Sequence, residues 1–128
     1  MKKGAIGKDA AKKKINSRSK GARGERDFAR AVTQTFGVKA RRGRQYCGSP
    51  DSPDVQTGFD KLHFECKYVE AFNLYKAMDQ AEGDAGDKIP VVAHRRNKKP
   101  WVVCVKLDDV IEFCKEILEK MNVQKESR

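Results

Sequence analysis

The stretch 62–68 alternates apolar and polar side chains, and it constrains the fold more than any other part of the sequence. Such alternation predicts a β-strand whose neighbouring residues point to opposite faces. The apolar face carries Leu62, Phe64, Cys66 and Tyr68, and the polar face carries His63, Glu65 and Lys67. We expect the first face to pack on a core. The second places a carboxylate and a lysine on an exposed rim, which folding alone does not require.

Periodic apolar positions elsewhere predict helices and further short strands around this segment. Helical spacing covers residues 22–36, residues 73–82 with Asn73 as the cap, and a last helix from 107 onward. Strand-like runs cover residues 54–56, 61–69, 89–94 and 101–107, while residues 38–46 form a strand or a loop. This order predicts an α/β domain with a central mixed β-sheet flanked by helices.

The last helix has the clearest apolar stripe, with three- and four-residue spacing. Its members are Leu107, Val110, Ile111, Cys114, Ile117, Leu118 and Met121. We expect this stripe to be buried and to serve packing alone.

The excess of positive charge lies at the N-terminus. Of the formal net charge of +10, residues 1–23 supply +8, from nine basic residues and one acidic residue. Residues 1–20 hold few large apolar side chains, so we expect a basic arm that is disordered when free, before one domain at 21–128. A basic arm favours a polyanion such as nucleic acid as the partner, although a solvated tail that only aids solubility has the same composition.

The cysteines argue for a reducing environment. Cys47, Cys66, Cys104 and Cys114 include no closely spaced pair, which disfavours a structural zinc site. We expect buried, reduced thiols and a cytoplasmic protein. The sequence has no apolar run long enough to span a membrane, and its basic N-terminus lacks the apolar core of a secretory signal.

Acidic residues and a lysine can converge beside the polar face of the central strand. Glu25 projects from the inward edge of the first helix, and Asp54 leads into a short strand. A hairpin turn at Gly58 brings Asp54 level with Glu65, and Lys67 lies two residues further along the same face. An exposed Glu and Lys pair on a strand is, however, also common as a solvated face.

These side chains suit the hydrolysis of a phosphodiester bond. The carboxylates of Asp54 and Glu65 are hard oxygen ligands for Mg²⁺ or Mn²⁺, and the carbonyl of Cys66 could add a further ligand. Such a cation activates water and neutralises the charge that builds on a phosphate. Lys67 would then orient or deprotonate the water, or stabilise the transition-state charge.

Several short motifs occur together in one order along the chain. They are residues 20–26 (KGARGER), the arginines of 41–44, residues 52–55 (SPDV), residues 64–67 (FECK), Gln80-Ala81, and a late strand that opens at Trp101. On these motifs the chain resembles the PD-(D/E)XK nuclease superfamily, and within it the small Holliday-junction resolvases of archaea and phages. The resemblance implies a restriction-endonuclease-like core.

The resemblance also implies roles for individual residues. Asp54 and Glu65 look like the metal ligands, and Lys67 looks like the catalytic lysine. Glu25 matches the glutamate of the first helix, a further ligand that often acts through water. Gln80 matches a glutamine near the metal site of related nucleases, although an exposed helix residue is nearly as common an interpretation.

The tripeptide Ser-Pro-Asp occurs twice, ending at Asp51 and at Asp54, so either aspartate could be the ligand. Asp54 is preferred because Val55 begins the strand and because its distance to Glu65 along the chain is the more usual one. Asp51 then lies on the rim.

Basic residues near the expected site are candidates for contacts with DNA phosphates, which give affinity without sequence selectivity. Together with one glutamine, these candidates are Arg23, Arg41, Arg42, Arg44, Gln80, Arg95 and Arg96. His63 shares the polar face and could contact a phosphate or the metal, although an exposed strand histidine is the more common interpretation, and His94 is expected at the phosphate-binding rim. Tyr46 and Tyr75 could stack on unpaired bases or simply pack.

The sequence therefore predicts a Mg²⁺-dependent endodeoxyribonuclease, with Mn²⁺ able to substitute. Its expected substrate is a four-way DNA junction, cut symmetrically by a homodimer whose interface could involve the second helix and its neighbouring strand. No membrane partner and no small-molecule ligand are expected, and the setting is the cytoplasm of a prokaryotic cell, with a phage as a possible source of the gene. The alternatives are a nicking or general nuclease on linear or flapped DNA, and a DNA-binding module of the same fold without activity.

Overall fold

The computed structural model describes the backbone of residues 3–43 and 54–126, and the side chains of residues 20–43 and 54–122. Arg44, Tyr46, Cys47 and Asp51 lie outside the described residues. In the described parts, helices and strands follow in this order: α1 (Lys3–Phe36), β1 (Ala40–Arg42), β2 (Val55–Thr57), β3 (Leu62–Tyr68), α2 (Leu74–Ala85), β4 (Ile89–Arg95), β5 (Val102–Val105) and α3 (Val110–Glu126). None of the helices in these ranges combines the length and the apolarity that crossing a membrane requires.

The strands form one mixed sheet in the order β1-β2-β3-β4-β5. β1, β2 and β3 are an antiparallel meander, β4 lies parallel to β3, and β5 returns antiparallel to β4. α2 connects the two parallel strands as a crossover, which a parallel pair needs because its strand ends lie at opposite edges. The predicted α/β class, with a central mixed sheet flanked by helices, is confirmed.

Helices cover both faces of the sheet. On one face, residues of α1 and α3 pack against the apolar side of β3 and β4; this core includes Phe28, Ala29, Val32, Leu62, Phe64, Val91, Ala93, Phe113 and Ile117. The aromatic rings of Phe28 and Phe64 lie 5.5 Å apart between their centroids. On the other face, α2 packs on β4 through Ala77, Met78, Ala81 and Val92.

Helix α1 is longer than the sequence pattern predicted. It ends at Phe36 as expected, where Gly37 adopts a φ of 71°, but it begins at Lys3 rather than near residue 22. Residues 3–20 are rich in Ala and Lys, which favour helix, and extending a helix costs less than nucleating one. The backbone of the basic arm is therefore helical from Lys3 onward. Disorder of this arm in the free protein stays a prediction.

Helix α2 begins after the predicted cap Asn73 and ends at a glycine. The side chain of Asn73 accepts the backbone N–H of Lys76 at 3.1 Å, which satisfies one of the free donors at the helix start. The helix runs to Ala85, slightly beyond the expected end, and Gly86 follows with a φ of 63°. This length matters for the site, because it adds Asp84 to the helix.

Helix α3 packs on the core through only part of its apolar stripe. The residues that face the core are Phe113, Ile117 and Met121. Leu107, Ile111 and Leu118 are 87%, 65% and 62% exposed, and Cys114 is exposed as well. The expectation that the whole stripe is buried was therefore wrong. The spacing of apolar residues defines a face, but it does not identify which edge of that face meets the sheet.

A buried glutamate fixes the orientation of α3. Glu116 is 1% exposed, and its Oε2 accepts the backbone N–H of Lys61 at 3.0 Å, just before β3. Its Oε1 lies 3.5 Å from Nζ of Lys120, a long ion pair rather than a hydrogen bond. The contact with Lys61 joins α3 to the turn that leads into the central strand.

Candidate active site

The polar face of β3 lies beneath α2 rather than on an open rim. His63 and Glu65 are 1% and 2% exposed, and Lys67 is only partly exposed. The small side chains of Ala77 and Ala81 on α2 are buried against the sheet, so the helix approaches it closely. The expectation of an exposed rim was wrong, because alternation along a strand does not reveal that a helix covers its second face.

The hairpin between β2 and β3 brings Asp54 to the middle of the central strand. Val55 pairs with Phe64, and the backbone N–H of Asp54 donates to the carbonyl of Phe64 at 3.1 Å. Oδ2 of Asp54 accepts the backbone N–H of Cys66 at 2.9 Å. The two contacts, with Phe64 and with Cys66, flank Glu65 on the strand. They place Asp54 beside Glu65.

Glu65 and Asp54 interact electrostatically. Burial raises the pKa of Glu65, and the charge of Asp54 raises it further, while the hydrogen bond with His63 acts in the opposite direction. Two carboxylates held together in a poorly hydrated place repel each other. A bound cation would relieve that repulsion, which is the electrostatic condition expected of a metal site.

Glu25 approaches the same region from α1. It is 8% exposed, and its Oε1 accepts a hydrogen bond from Nε of Arg42 at 2.6 Å. Burial raises the pKa of the Cys66 thiol, and the charges of Asp54 and Glu25 raise it further, so both carboxylates lie near that residue. Arg42, a candidate for contacts with DNA, is paired with the candidate ligand Glu25.

Lys67 is hydrogen-bonded to Gln80, the glutamine of α2 that the resemblance predicts near the metal site. Its Nζ donates a hydrogen bond to Oε1 of Gln80 at 3.1 Å. The two residues also line a cleft of about 250 Å³ beside the end of β3, together with Asn73 and Lys76. Gln80 thus contacts the candidate catalytic lysine directly and leaves its ammonium group at the edge of an open cleft.

The donor set fits a hard divalent cation. Asp54 and Glu65 offer carboxylate oxygens, and Glu25 could add a third from α1. The thiol of Cys66 packs in the core and its pKa is raised, so it remains protonated and is not a ligand, which leaves only its backbone carbonyl. Oxygen donors without a thiolate favour Mg²⁺ or Mn²⁺ over softer metals.

Two of the arginines expected to contact DNA, Arg23 and Arg95, line a second cleft. Its volume is about 400 Å³, and Arg26, Arg30, Asp27 and Tyr68 complete the lining. In the part of the chain that the structure describes, no ion pair engages Arg23 or Arg26. This cleft lies beside Tyr68, the residue after Lys67.

Asp27 holds the inner side of this cleft together. Its Oδ2 accepts hydrogen bonds from Nη1 of Arg95 at 2.7 Å and from Nε1 of Trp101 at 2.6 Å. Arg95 also donates to the carbonyl of Lys99 and lies over the ring of Tyr68. Its position is therefore fixed by α1 and the β4–β5 turn.

The remaining candidates are scattered over the surface. Arg41 lies on the edge strand β1 and donates to Oε1 of Gln56 on β2. Arg96 is exposed in the β4–β5 turn. His94 stacks on Phe72, with 3.9 Å between the ring centroids, so its contacts are those of a packed residue rather than of an open rim. Tyr75 is 81% exposed on α2.

Two residues near the site were missed or misjudged from the sequence. His63, expected to be exposed, is buried with its Nε2 3.2 Å from Oε1 of Glu65. Asp84 was not considered, yet its carboxylate lies within 4.8 Å of ligand atoms of both His63 and Glu65. Its position four residues after Gln80, on the same face of a helix, was the available signal.

Comparison with known proteins gives one match. A family model described as "Phage putative PDDEXK endonuclease" matches residues 16–127. No curated protein and no solved structure matches the chain significantly. The matched range includes every residue of the site described above, from Glu25 to Asp84.

Proposed function

Because the chain belongs to this family of phage PDDEXK endonucleases, we propose that it is a divalent-cation-dependent endonuclease that cuts DNA. Its active-site residues are Asp54, Glu65 and Lys67. The observation that carries the proposal is the convergence of these residues. Asp54 contacts the strand that bears Glu65, and Lys67 reaches the neighbouring cleft. Family membership supports a nuclease with DNA as its substrate, and the site residues are our assignment.

We assign the cation to Asp54 and Glu65, with Glu25 and the carbonyl of Cys66 as further ligands. Mg²⁺ is the expected ion, and Mn²⁺ should substitute because it accepts the same oxygen donors. When bound, the cation supplies positive charge that neutralises the phosphate during in-line displacement.

The chain's own residues supply position and further charge. Gln80 accepts a hydrogen bond from Nζ of Lys67 and so limits where the ammonium group can point. From that position Lys67 orients the attacking water or donates to a phosphate oxygen as negative charge builds there. Arg42 pairs with Glu25, and a DNA phosphate offers Arg42 an alternative acceptor when Glu25 binds the cation.

Affinity for DNA is assigned to positively charged surfaces away from the carboxylates. Arg23 and Arg95 line the second cleft, beside Tyr68, and Arg41 and Arg96 are exposed on two other edges. Residues 1–20 act as a basic arm that follows a duplex through its phosphates, so DNA binding should weaken steeply with salt.

A four-way junction is the substrate that we propose, cut by a homodimer. Paired symmetric incisions need two sites related by a two-fold axis, which a dimer provides. The candidate interface is the exposed stripe of α3, which is formed by Ile111, Cys114 and Leu118 together with Leu107 in the turn just before the helix. It replaces the second helix, whose apolar face is already packed on β4.

The test compares a four-way junction with a linear duplex of the same sequence, each with Mg²⁺ or with EDTA. Paired symmetric cuts in the junction alone, in Mg²⁺ alone, are the expected result. Cleavage of both substrates would leave a nuclease without junction selectivity. Tight binding without cleavage in any divalent cation would instead leave a DNA-binding module and would overturn the proposed function.

A further inference from the structure

His63 is one of only two histidines in the chain, and it lies in an unusual place. It is 1% exposed on the face of β3 that α2 covers, and on that face α2 buries the small apolar side chains of Ala77 and Ala81. An apolar side chain would suit this position better for folding alone, because burying a polar pair often costs more than it returns. The histidine therefore invites a functional explanation.

The contact of His63 with Glu65 is direct. Its Nε2 lies 3.2 Å from Oε1 of Glu65, and the two side chains are 2% and 3% exposed. Asp54 interacts with Glu65 as a second neighbour. Glu65 is thus held between an imidazole and the other candidate metal ligand.

The ionisation of Glu65 fixes the direction of this hydrogen bond. A metal ligand must be ionised, and an ionised carboxylate only accepts hydrogen bonds. Nε2 of His63 must then carry a proton and donate a hydrogen bond to Oε1 of Glu65. This commits one oxygen of Glu65 to the histidine and leaves the other for the cation.

We propose that His63 is a positioning residue that orients the carboxylate of Glu65 toward the cation. The inference deepens the proposed function and rests on its assignment of Glu65 as a ligand. A ligand whose orientation is fixed by a hydrogen bond pays less entropy on binding, and losing such a partner typically lowers metal affinity by about 10- to 100-fold.

Asp84 suggests the competing arrangement. Its carboxylate, a ring nitrogen of His63 and a carboxylate oxygen of Glu65 all lie within 4.8 Å of one another. Within the described residues, no hydrogen bond or ion pair joins Asp84 to either of them. If the three held a cation directly, His63 would be a ligand, and its Nε2 or Nδ1 would have to be unprotonated toward the ion.

The test measures Mn²⁺ binding by isothermal titration calorimetry, without DNA, in the wild type and three variants. His63→Leu removes the donor, His63→Gln keeps an N–H donor, and Asp84→Asn removes a charge. We expect His63→Leu to bind Mn²⁺ about 10- to 100-fold more weakly, and His63→Gln to recover most of the affinity. Asp84→Asn should keep the stoichiometry of the wild type.

Two calorimetric results would overturn the proposal. Wild-type affinity in His63→Leu would show that the histidine does not orient the ligand. Equal losses in His63→Gln, His63→Leu and Asp84→Asn, with fewer ions bound, would show direct coordination.

A second measurement needs no variant at residue 63, in case that buried position tolerates none. In the ¹⁵N-labelled wild type, NMR can follow both ring nitrogens of His63, with His94→Gln used for assignment. We expect Nε2 to keep its proton when Mg²⁺ saturates the protein, and loss of that proton would overturn the proposal. Cation binding that depends on His63 in a protein that cuts no DNA would refute the proposed function and leave this inference standing.

Discussion

Glu65 shows at the scale of one residue why the site could be predicted only in part. Its type and its distance from Asp54 and Lys67 along the chain were enough to nominate all three. Its burial and its contact with His63 were not predictable, because they depend on how closely α2 packs on the sheet. Local spacing identifies the chemical groups, whereas tertiary packing determines their environment.

Gln80 offers a test of how Lys67 is positioned. We expect Gln80→Ala to lower the cleavage rate by about 10- to 100-fold, because the freed ammonium group samples unproductive positions. The rate should be measured with DNA and Mg²⁺ at saturation. Asp79→Ala, at the exposed neighbouring position of α2, is the matched control and should cleave like the wild type. Equal rates in both variants would refute this role for Gln80.

Asp27 makes stability depend on pH. Burial alone would raise its pKa, but the hydrogen bond from Trp101 and the charge of Arg95 hold the pKa below its ordinary value of 3.8. The stabilisation is thus complete above that value and is lost as the pH falls through the lower pKa of the folded state. We expect Asp27→Asn to lower the free energy of unfolding by about 1 kcal/mol at neutral pH.

Denaturant unfolding of both proteins over a range of pH checks this prediction. The difference between wild type and Asp27→Asn should shrink well below pH 3.8. A difference of the same size at neutral and at acidic pH would show that lost packing, rather than the ionised carboxylate, explains the effect.

At the scale of secondary structure, β3, β4 and β5 were predictable because each is a short, largely apolar run bounded by turn residues. β3 and β4 lie within a residue or two of their expected bounds. The start of α1 was not predictable, because a Lys-rich segment without apolar periodicity carries no signal for helix other than propensity. The orientation of α3 also depended on the tertiary contact of Glu116 with Lys61.

Gly24 allows α1 to pack closely on β3. A Cβ at this position would lie 2.6 Å from Cβ of Tyr68, and neither atom can move without its backbone. We expect Gly24→Ala to destabilise the fold by about 1–3 kcal/mol and to displace the neighbouring Glu25. Thermal unfolding measures the first effect, and the loss of Mn²⁺ affinity measures the second.

Gly21→Ala is the matched control for this prediction. Gly21 lies on the same helix, with no atom within 4 Å of the added Cβ. The substitution should be neutral or stabilise by up to about 1 kcal/mol, since alanine favours helix. Equal destabilisation by both substitutions would show that the contact with Tyr68 does not limit the approach of α1.

At the scale of the whole molecule, the exposed stripe of α3 predicts self-association. Its apolar residues recur at alternating spacings of four and three, as in helices that pair along a narrow seam. We expect the wild type to be a dimer by light scattering and Ile111→Asp to be a monomer. Glu119→Lys, an exposed change of charge off the stripe, should remain dimeric. A wild-type monomer at all concentrations would exclude this interface.

Cleavage by Lys67→Met, measured beside the wild type with Mg²⁺ and with EDTA, tests the assignment of the site most directly. The wild type should cut DNA only with Mg²⁺, and the variant should be slower by about 10²- to 10³-fold, because it lacks the charge that stabilises the transition state. Its DNA affinity should remain close to that of the wild type. Undiminished cleavage by Lys67→Met, or cleavage by the wild type in EDTA, would contradict the account.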